Sequence, residues 1–375
     1  MVGVTGVVNR GIITSVLVLL ALSPIQLFGY SGVIGSSFDA ADTRLTGSAD
    51  RSDAVAARRP TPPVVFGVYP DAGNGELGYV DSPEGQAADA ALQALRGDKP
   101  FDVHLYTAWS WHNNADLDAK IERYTRAGLT ITLTMKYSPP AGRDGDVDGY
   151  VDFVRSVVRR YRGNPAVQAY VIGNEANVTW GNPESSDGPF LNADHAVAKG
   201  IVAARRELLA IRSSAGVGTS MAIIEPGHDA AFVRRLREIG GRQFSSSLTF
   251  LGINVYPGLW PVGSGDPYQD MIAHLRSTRT ALAQAGFGSA VTISVLENGF
   301  PTLDEDDQAS RLSQMVQAVC AVAGETGVRT YSWFGMRDAD SSSDNPYAHY
   351  GLLRSDLSAK PAFTVYQSLI QRSCR

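Results

Sequence analysis

Two glutamates follow apolar runs in distant parts of the chain, and each lies where a buried strand would end. The run at 166–172 leads into Asn174 and Glu175, and the run at 291–296 leads into Glu297. A carboxylate at the end of a buried strand is costly to desolvate unless it has partners or a function. The repeated pattern therefore predicts two carboxylates that face each other across one site.

The elements that must position these glutamates alternate between short strands and longer helices. Apolar runs of strand length lie at 64–68, 101–106, 130–135, 167–173, 217–223, 249–255, 291–296 and 330–333. Helix-spaced apolar residues lie near 85–96, 115–127, 147–162, 192–213, 229–239, 268–285, 307–326 and 361–371. This alternation is typical of an α/β fold, and we predict a single-domain (β/α)8 TIM barrel. A doubly wound open sheet is the alternative, but no G-x-G-x-x-G follows the first strand, and we interpret 71–75 as a surface loop.

The tryptophans all follow predicted strands, which places them at the carboxyl-terminal face of such a barrel, where its sites are built. They are Trp109, Trp111, Trp180, Trp260 and Trp333. Aromatic rings stack on the apolar faces of sugars, and they also fill ordinary loops and pockets. Because they share one rim, we predict that Trp109, Trp111, Trp180 and Trp333 contact a sugar substrate.

Polar residues occupy the same predicted strand ends. Besides the two glutamates, they are His104, His112, Lys136, Asn174, Glu225, Asn254 and Tyr256. Some have a structural interpretation: His104 as a hydrogen-bonded core histidine, Lys136 as a solvent-exposed side chain, and Glu225 as a helix cap. His104 is nevertheless kept as a candidate substrate-binding residue. No metal-ligand spacing such as H-E-x-x-H occurs, so we predict no metal and no other cofactor.

Two acids surrounded by aromatic rings suit the hydrolysis of a glycosidic bond. One carboxyl group protonates the leaving oxygen, while the other attacks the sugar carbon or activates water. A separation of about 5–5.5 Å between the two gives retention of the anomeric configuration, and a wider one gives inversion. The sequence leaves this separation open, although opposite strands of an eight-stranded barrel can bring two such side chains together.

The same residues resemble clan A of the retaining (β/α)8 glycosidases, which includes cellulase-like and β-1,3-glucanase-like families. The motifs are Gly-Asn-Glu at 173–175 on the fourth predicted strand and Glu297 on the seventh. The stretches 254–257 and 297–301 are most similar to the β-1,3-glucanase version, whereas 350–363 is more similar to cellulase-like and xylosidase-like members. Many cellulase-like members have Arg in place of His104, and some have His in place of Asn254.

This resemblance implies a role for several residues. Glu175 would be the acid/base and Glu297 the nucleophile of a double displacement on a β-linked glucan or related glycan. Asn174 would bind the sugar 2-hydroxyl. Tyr256 would donate a hydrogen bond to Glu297, and Trp333 would form the floor of the adjacent subsite.

Three other functions use the same fold or the same residues. A transglycosylase would replace water by a sugar. A non-catalytic glycan-binding barrel would keep the shape without turnover, but it would not require both carboxylates together with Asn174 and Tyr256. A metal-dependent hydrolase would use His104 and His112, although the other histidines show no ligand spacing.

The N-terminal part of the chain has a different composition. An apolar core at 11–22 follows Arg10, so we predict a signal peptide or an uncleaved membrane anchor at 1–35. Residues 36–62 are rich in Ser, Ala, Asp, Arg and Thr, and we predict a disordered linker before the glycosidase domain at 63–375. We expect a monomer that acts on an oligo- or polysaccharide and is secreted or attached to the cell surface or membrane.

The overall composition narrows the class of protein. The 375 residues are 44% hydrophobic and 19% charged, with a formal net charge of −5, which is typical of a globular protein and not of a disordered one. No dense Lys/Arg run indicates a nucleic-acid surface. Cys320 and Cys374 are the two cysteines, and a disulfide and two unpaired thiols stay equal alternatives.

Overall fold

The structure is a computed structural model in which residues 63–74, 78–80, 85–111, 114–224, 228–259 and 263–374 are described. Its strands are β1 (Val65–Val68), β2 (Ala72–Asn74), β3 (Gly78–Val80), β4 (Phe101–Ala108), β5 (Thr130–Lys136), β6 (Val167–Ile172), β7 (Gly216–Ala222), β8 (Phe250–Asn254), β9 (Thr292–Asn298) and β10 (Val328–Trp333). Its helices are α1 (Gln86–Arg96), α2 (Asn114–Arg126), α3 (Val147–Tyr161), α4 (Ala193–Leu209), α5 (His228–Ser247), α6 (Pro267–Gln284), α7 (Glu305–Thr326) and α8 (Pro361–Arg372). The predicted N-terminal segment 1–35 and linker 36–62 lie outside the described residues, so the domain boundaries stay predictions. Among the described helices, none combines the length and the apolar composition needed to cross a membrane.

Eight of the strands form a closed parallel barrel in the order β1-β10-β9-β8-β7-β6-β5-β4. The strand β1 closes it by pairing with both β10 and β4, so that Val68 lies opposite Trp333 on one side and Val103 on the other. The helices alternate with these strands along the described chain. The predicted single (β/α)8 TIM barrel is confirmed. In it, β6 is the fourth barrel strand and β9 is the seventh, as the positions of Glu175 and Glu297 predict.

The sequence does not predict one short hairpin. The strand β2 lies within the stretch interpreted as a surface loop, and it pairs antiparallel with β3, with Ala72 opposite Val80. Glycine and asparagine favour turns, so the sequence of this stretch predicts a loop, whereas three of its residues form a strand. Asp71, directly before this hairpin, is buried and forms an ion pair of 2.8 Å with Lys120 of α2. The loop interpretation is therefore wrong for Ala72–Asn74.

Helix α5 is longer than the predicted helix at 229–239. It continues to Ser247 across a kink at Gly241, where φ is 60°. Glycine adopts this left-handed conformation without the steric cost that a Cβ would bring. The chain can therefore bend there and add a short helical segment, where the sequence predicts a helix end.

Aspartates begin several of the helices that follow loops at the barrel mouth. The side chain of Asp146 accepts a hydrogen bond from the first turn of α3, Asp266 does so for α6, and Asp304 for α7. Such caps satisfy backbone N–H groups that have no partner inside the helix. They define where each loop of the site ends and its helix begins.

Successive side chains of a strand point alternately to the hydrophobic core, between the strands and the surrounding helices, and to the polar interior of the barrel. In β4, Val103 and Leu105 belong to the main hydrophobic core, which lies between strands and helices, while Asp102, His104 and Tyr106 point the other way. Hydrogen bonds link this second face to β5. The residues of β5 on the same face are Thr130, Thr132, Thr134 and Lys136. This polar column inside the barrel leads up to the site at the mouth.

A disulfide ties the last helix to its neighbour. Cys320 of α7 is bonded to Cys374, which follows α8, with the two Cα atoms 4.9 Å apart. Of the two alternatives that the sequence leaves open, the structure has the disulfide. The bond joins the end of the chain to the ring of helices.

Candidate active site

Glu175 stands on a tight turn after β6. Gly173 and Glu175 have φ values of 75° and 50°, so the chain turns sharply beyond Ile172. A positive φ costs about 1–3 kcal/mol for a residue other than glycine, and such strain is concentrated at functional sites. A Cβ on Gly173 would lie 2.5 Å from Val197 of α4, so the close approach of α4 also requires glycine. Backbone conformation and packing together define where the Glu175 side chain starts.

Both carboxylate oxygens of Glu175 accept hydrogen bonds. Asn254, at the end of β8, donates from Nδ2 to Oε1 over 2.8 Å. Ser186, in the loop between β6 and α4, donates from Oγ to Oε2 over 2.8 Å. Glu175 is 8% exposed, so it is largely shielded from solvent. It is a buried carboxyl group held by one amide and one hydroxyl.

Glu297, near the end of β9, is held by two phenols. Tyr106 of β4 donates to Oε1 over 2.5 Å, and Tyr256, two residues beyond β8, donates to Oε2 over 2.7 Å. The predicted hydrogen bond from Tyr256 is confirmed, whereas the sequence did not single out Tyr106. Hydrogen bonds to an ionised group are short and strong, and they favour the carboxylate form of Glu297.

His104 lies behind Tyr106 and has no surface open to a substrate. It is 1% exposed, with Nε2 at 2.7 Å from the Thr134 hydroxyl and Nδ1 at 3.1 Å from the Leu296 carbonyl oxygen. Since a carbonyl only accepts, the proton is assigned to Nδ1, which also points to the Tyr106 oxygen at 3.3 Å. Burial lowers the pKa of His104 to about 4, so the ring is neutral at pH 7. The structure supports the interpretation as a hydrogen-bonded core histidine that supports Tyr106.

The two carboxyl groups of the site are electrostatically linked. Burial raises the pKa of both Glu175 and Glu297, and the charge of Glu175 raises the pKa of Glu297 further. The positive charge of Lys136 lowers the pKa of each carboxyl. When two carboxyl groups interact this strongly, the apparent pKa values belong to the pair and not to either residue. Different hydrogen-bond partners can still give the two groups different proton affinities, so that one acts as acid and the other as nucleophile.

Lys136, at the end of β5, is buried. Its side chain donates from Nζ to the Glu184 carbonyl oxygen over 2.5 Å, and the residue is 2% exposed. The interpretation that Lys136 points to solvent is therefore wrong. Burial lowers the pKa of Lys136, while the charges of Asp187 and of the two site glutamates raise it. The lysine adds a positive charge among the carboxyl groups of the site.

The Asn174 side chain makes three hydrogen bonds within the protein. Its Nδ2 donates to the Ser185 carbonyl over 2.9 Å, and its Oδ1 accepts from Ser220 Oγ at 2.8 Å and from Asn254 Nδ2 at 3.3 Å. The residue is 2% exposed. The contact of Asn174 with a sugar 2-hydroxyl stays a prediction, and this network is what orients the amide.

In the described part of the chain, two tryptophans are buried and two are exposed. Trp333 has no exposed surface, and Trp109 is 8% exposed and stacks on Tyr137. Both rings pack in the main hydrophobic core, which favours a structural role for them, and their contact with substrate stays a prediction. Trp111 is 46% exposed and Trp180 is 71% exposed, so these two stay candidates for sugar binding.

The two phenols that donate to Glu297 belong to an aromatic cluster, of which the sequence analysis identified only Tyr256. It consists of Tyr69, Tyr106, Tyr256, Phe334 and Tyr350. Phe334 stacks on Tyr69, with ring centroids 5.1 Å apart, and it directly follows the buried Trp333. Neighbouring residues of an extended chain face opposite sides, which agrees with Trp333 in the main core and Phe334 in this cluster.

Some predicted positions are not covered by the structure. His112, Glu225 and Trp260 lie outside the described residues. Within the described ranges, no group of three or more His, Cys, Asp or Glu side chains is arranged to hold a metal ion.

Comparison with known proteins reveals similarity in structure and not in sequence. No protein-family model and no curated protein matches the chain. A family 39 glycoside hydrolase from Bacteroides cellulosilyticus WH2 superposes with a TM-score of 0.59 at 14% identity, over 83% of this chain and 64% of that one. A fungal β-1,4-galactanase superposes with a TM-score of 0.56 at 16% identity, over 82% and 99% of the two chains. A β-glucosidase from Thermotoga maritima does so with a TM-score of 0.55 at 12% identity, over 76% and 85%.

These similarities confirm the predicted fold. These three neighbours are glycoside hydrolases, and their barrels superpose on 76–83% of this chain. At identities this low the comparisons show the fold alone, and the reaction, the substrate and the stereochemistry must be argued from the site.

Proposed function

We propose that this protein is a retaining glycoside hydrolase that cleaves a β-linked glucan or related glycan by double displacement. The observation that carries the proposal is the pair of buried glutamates at the barrel mouth, Glu175 after β6 and Glu297 in β9, whose hydrogen-bond donors differ. Different partners give two carboxyl groups different proton affinities, as this reaction requires. The glycosidases that share the fold support the reaction class.

In the first step, Glu297 is the nucleophile. Tyr106 and Tyr256 hold its two oxygens, which orients the carboxylate and favours its ionised form. A bond forms from Glu297 to the anomeric carbon while the bond from that carbon to the leaving oxygen breaks. Glu175 gives its proton to the leaving oxygen, so the departing alcohol is neutral.

In the second step, Glu175 is the base. Its carboxylate removes a proton from water as the water oxygen attacks the anomeric carbon, and the bond to Glu297 breaks. Two successive attacks from opposite faces retain the configuration. When a sugar hydroxyl takes the place of water, the same residues perform transglycosylation.

A mechanism-based 2-fluoro glycoside tests the proposal. We expect mass spectrometry to find the trapped sugar on Glu297, and proton NMR to show that the first product formed has the configuration of the substrate. Glu297→Gln and Glu175→Gln should each lower kcat on natural glycans by at least about 10³-fold, because each removes a group that takes part in bond making or proton transfer.

The control for these variants is Glu325→Gln, on the exposed surface of α7, where the carboxylate pairs with Arg276. It should label and turn over like the wild type, and circular dichroism should show the same fold in all variants. An inverted first product, or a label on a different residue, would refute double displacement through Glu297.

The other functions make different predictions in the same assays. A non-catalytic glycan-binding barrel would bind sugars saturably without labelling or turnover. A metal-dependent hydrolase would lose activity with a chelator. The structure supports this last function less, because His104 is buried and both of its ring nitrogens are hydrogen-bonded within the protein.

We also propose that the protein is exported and then secreted or retained at the cell surface or membrane. The apolar segment at 11–22 supports this proposal, and so does the disulfide between Cys320 and Cys374, because disulfides persist in oxidising compartments. Fractionation of cells that express the full chain, followed by N-terminal sequencing, would distinguish cleavage from anchoring. Recovery of the intact chain in the cytoplasm with reduced thiols would contradict export.

A further inference from the structure

The loop between β6 and α4 contains a segment, 184–187, whose residues all contact the Glu175 side of the site. The contacts are Glu184 with Lys136, Ser185 with Asn174, Ser186 with Glu175, and Asp187 with Asn174 and Tyr137. Two of these contacts use backbone carbonyls, which only accept, and one uses a hydroxyl, which can do both. Only Ser186 contacts Glu175 directly, at Oε2, while Ser185 contacts Asn174, an amide that adjoins the partner of Oε1.

A chain of amides determines what Oε1 of Glu175 faces. The Ser185 carbonyl accepts from Nδ2 of Asn174 at 2.9 Å, so Oδ1 of Asn174 is turned toward Asn254, 3.3 Å from its Nδ2. Asn254 therefore presents this same nitrogen to Oε1 of Glu175, at 2.8 Å. An amide NH₂ group only donates. A proton on Oε1 would meet a donor, which disfavours it there.

Oε2 of Glu175 faces a group of another kind. Ser186 Oγ lies 2.8 Å from Oε2, and Ser186 is 2% exposed. A hydroxyl donates to a carboxylate and, after rotation about its C–O bond, accepts from a carboxylic acid. We propose that Ser186 is a positioning residue that places the transferable proton of Glu175 on Oε2 and then donates a hydrogen bond to that oxygen once the proton has left.

This inference rests on the proposed function, in which Glu175 is the acid/base. Before the reaction, the proton on Oε2 has Ser186 as its acceptor. The O–H bond then turns from Ser186 to the leaving oxygen and breaks as the proton is transferred. Its electron pair stays on Oε2, and the Ser186 hydroxyl rotates to donate to that oxygen. In the second step water returns a proton to Oε2, and the hydroxyl rotates back. Ser186 itself neither gains nor loses an atom.

The variant Ser186→Ala tests this role. For glycosides with alkyl or sugar leaving groups, which need protonation, we expect kcat/KM to fall by about 10- to 100-fold, within the range that general acid catalysis supplies. For dinitrophenyl glycosides, which depart without a proton, the change should be below about threefold. Ser186→Thr keeps the hydroxyl and should recover most of the loss.

The pH dependence of kcat/KM is a second measurement, and it would not change if Ser186 had only a structural role. Ser186→Ala removes both a donor to the ionised form of Glu175 and an acceptor for its protonated form. The hydrogen bond to the charged form is the stronger of the two, and the Ser186 hydrogen bond lowers the pKa of Glu175, so this pKa rises in the variant. The basic limb of kcat/KM, which reports loss of the proton from the acid, should therefore move to higher pH by about half a unit to one unit.

The matched control is Ser341→Ala. Ser341 also donates its hydroxyl to a buried carboxylate, that of Asp338, over 2.9 Å, but in the loop after β10. It should leave the leaving-group dependence and the pH profile unchanged. An equal loss for all leaving groups in Ser186→Ala, or an unmoved basic limb, would overturn the proposal.

A titration that needs no turnover separates this proposal from a failure of the proposed function. In protein labelled with ¹³C at the glutamate carboxyls, the Glu175 resonance is assigned by its absence from Glu175→Gln. Its pKa should be about half a unit to one unit higher in Ser186→Ala than in the wild type, even if no glycoside is hydrolysed. An unchanged pKa would overturn the role of Ser186, whatever the activity.

Discussion

The two glutamates of the site are almost equally buried but have different surroundings. Glu175 is 8% exposed and Glu297 is 6% exposed. Glu175 accepts from an amide and a hydroxyl, and the hydroxyl comes from a loop. Glu297 accepts from two phenols that belong to a cluster of aromatic rings. Burial alone therefore does not distinguish the two carboxyl groups, whereas the donors do.

The donors on the two sides are of different kinds. Burial and the charge of Glu297 raise the pKa of Tyr256 well above the usual value for a phenol, so its proton stays available for donation to Glu297. On the other side, Glu175 has an aliphatic hydroxyl and an amide as its donors. Two phenols, one on each oxygen, suit the lasting negative charge of Glu297, whereas Glu175 has a phenol on neither oxygen. This contrast supports the roles proposed for the two residues.

The largest effect is expected from the phenol side. Tyr256→Phe removes a donor from the ionised nucleophile, and loss of one such donor costs about 10²–10³-fold in kcat. The pKa of Glu297 should rise because its charged form loses a hydrogen bond. Initial rates between pH 4 and 8 should therefore show the acid limb of kcat/KM at higher pH than in the wild type.

The matched control for this variant is Tyr161→Phe, whose phenol donates to the Asp118 carboxylate over 2.7 Å in the outer helices. It should keep the wild-type rate and profile. If Tyr256→Phe behaved like Tyr161→Phe, the phenols would not be what distinguishes the Glu297 side.

We expect an effect of intermediate size from removal of the positive charge of Lys136, which acts on both Glu175 and Glu297. The charges of Glu175, Glu297, Asp187 and Glu184 act on Lys136, and its positive charge lowers the pKa of the two site glutamates. In Lys136→Met these pKa values rise, so both limbs of the kcat/KM profile should move to higher pH, by about one unit. Activity near pH 5 should fall most, because less Glu297 is then ionised.

Lys360→Met is the control for this variant. Lys360 is also buried, and its ion pair of 2.7 Å is with Asp338, away from the carboxyl pair. It should lower the thermal midpoint without moving the profile. Equal shifts in both variants would mean that the loss of any buried lysine accounts for the effect.

The smallest effect is expected at the rim on the Glu175 side. Trp180 lies in the same loop as Ser186 and is 71% exposed. Loss of an aromatic stacking contact in Trp180→Ala should raise KM for oligosaccharides by about 3- to 10-fold, with KM for aryl monosaccharides unchanged. Leu209→Ala, at the other end of α4 and 55% exposed, should change neither value. A loss of equal size on both kinds of substrate would contradict a role in binding extended sugars.

The sequence predicts those parts of the site that a pattern of neighbouring residues indicates. The apolar runs before Glu175 and Glu297 are visible without knowledge of the fold, and the alternation of strands and helices predicts where their ends meet. No pattern of neighbouring residues indicates whether an individual aromatic ring is buried. Trp109 and Trp333 follow strands as a substrate-binding residue would, yet their side chains pack in the core. Which way a ring turns depends on the helices and loops that cover it.

Sequence alone determined the barrel and the two glutamates at its mouth, because strand and helix periods are properties of neighbouring residues. Only the tertiary structure decided their partners. The hydrogen bond from Tyr106 to Glu297 joins residues 191 positions apart, and the one from Asn254 to Glu175 joins residues 79 apart. Such contacts exist because barrel closure brings distant strand ends together, and no local pattern encodes which side chains then meet.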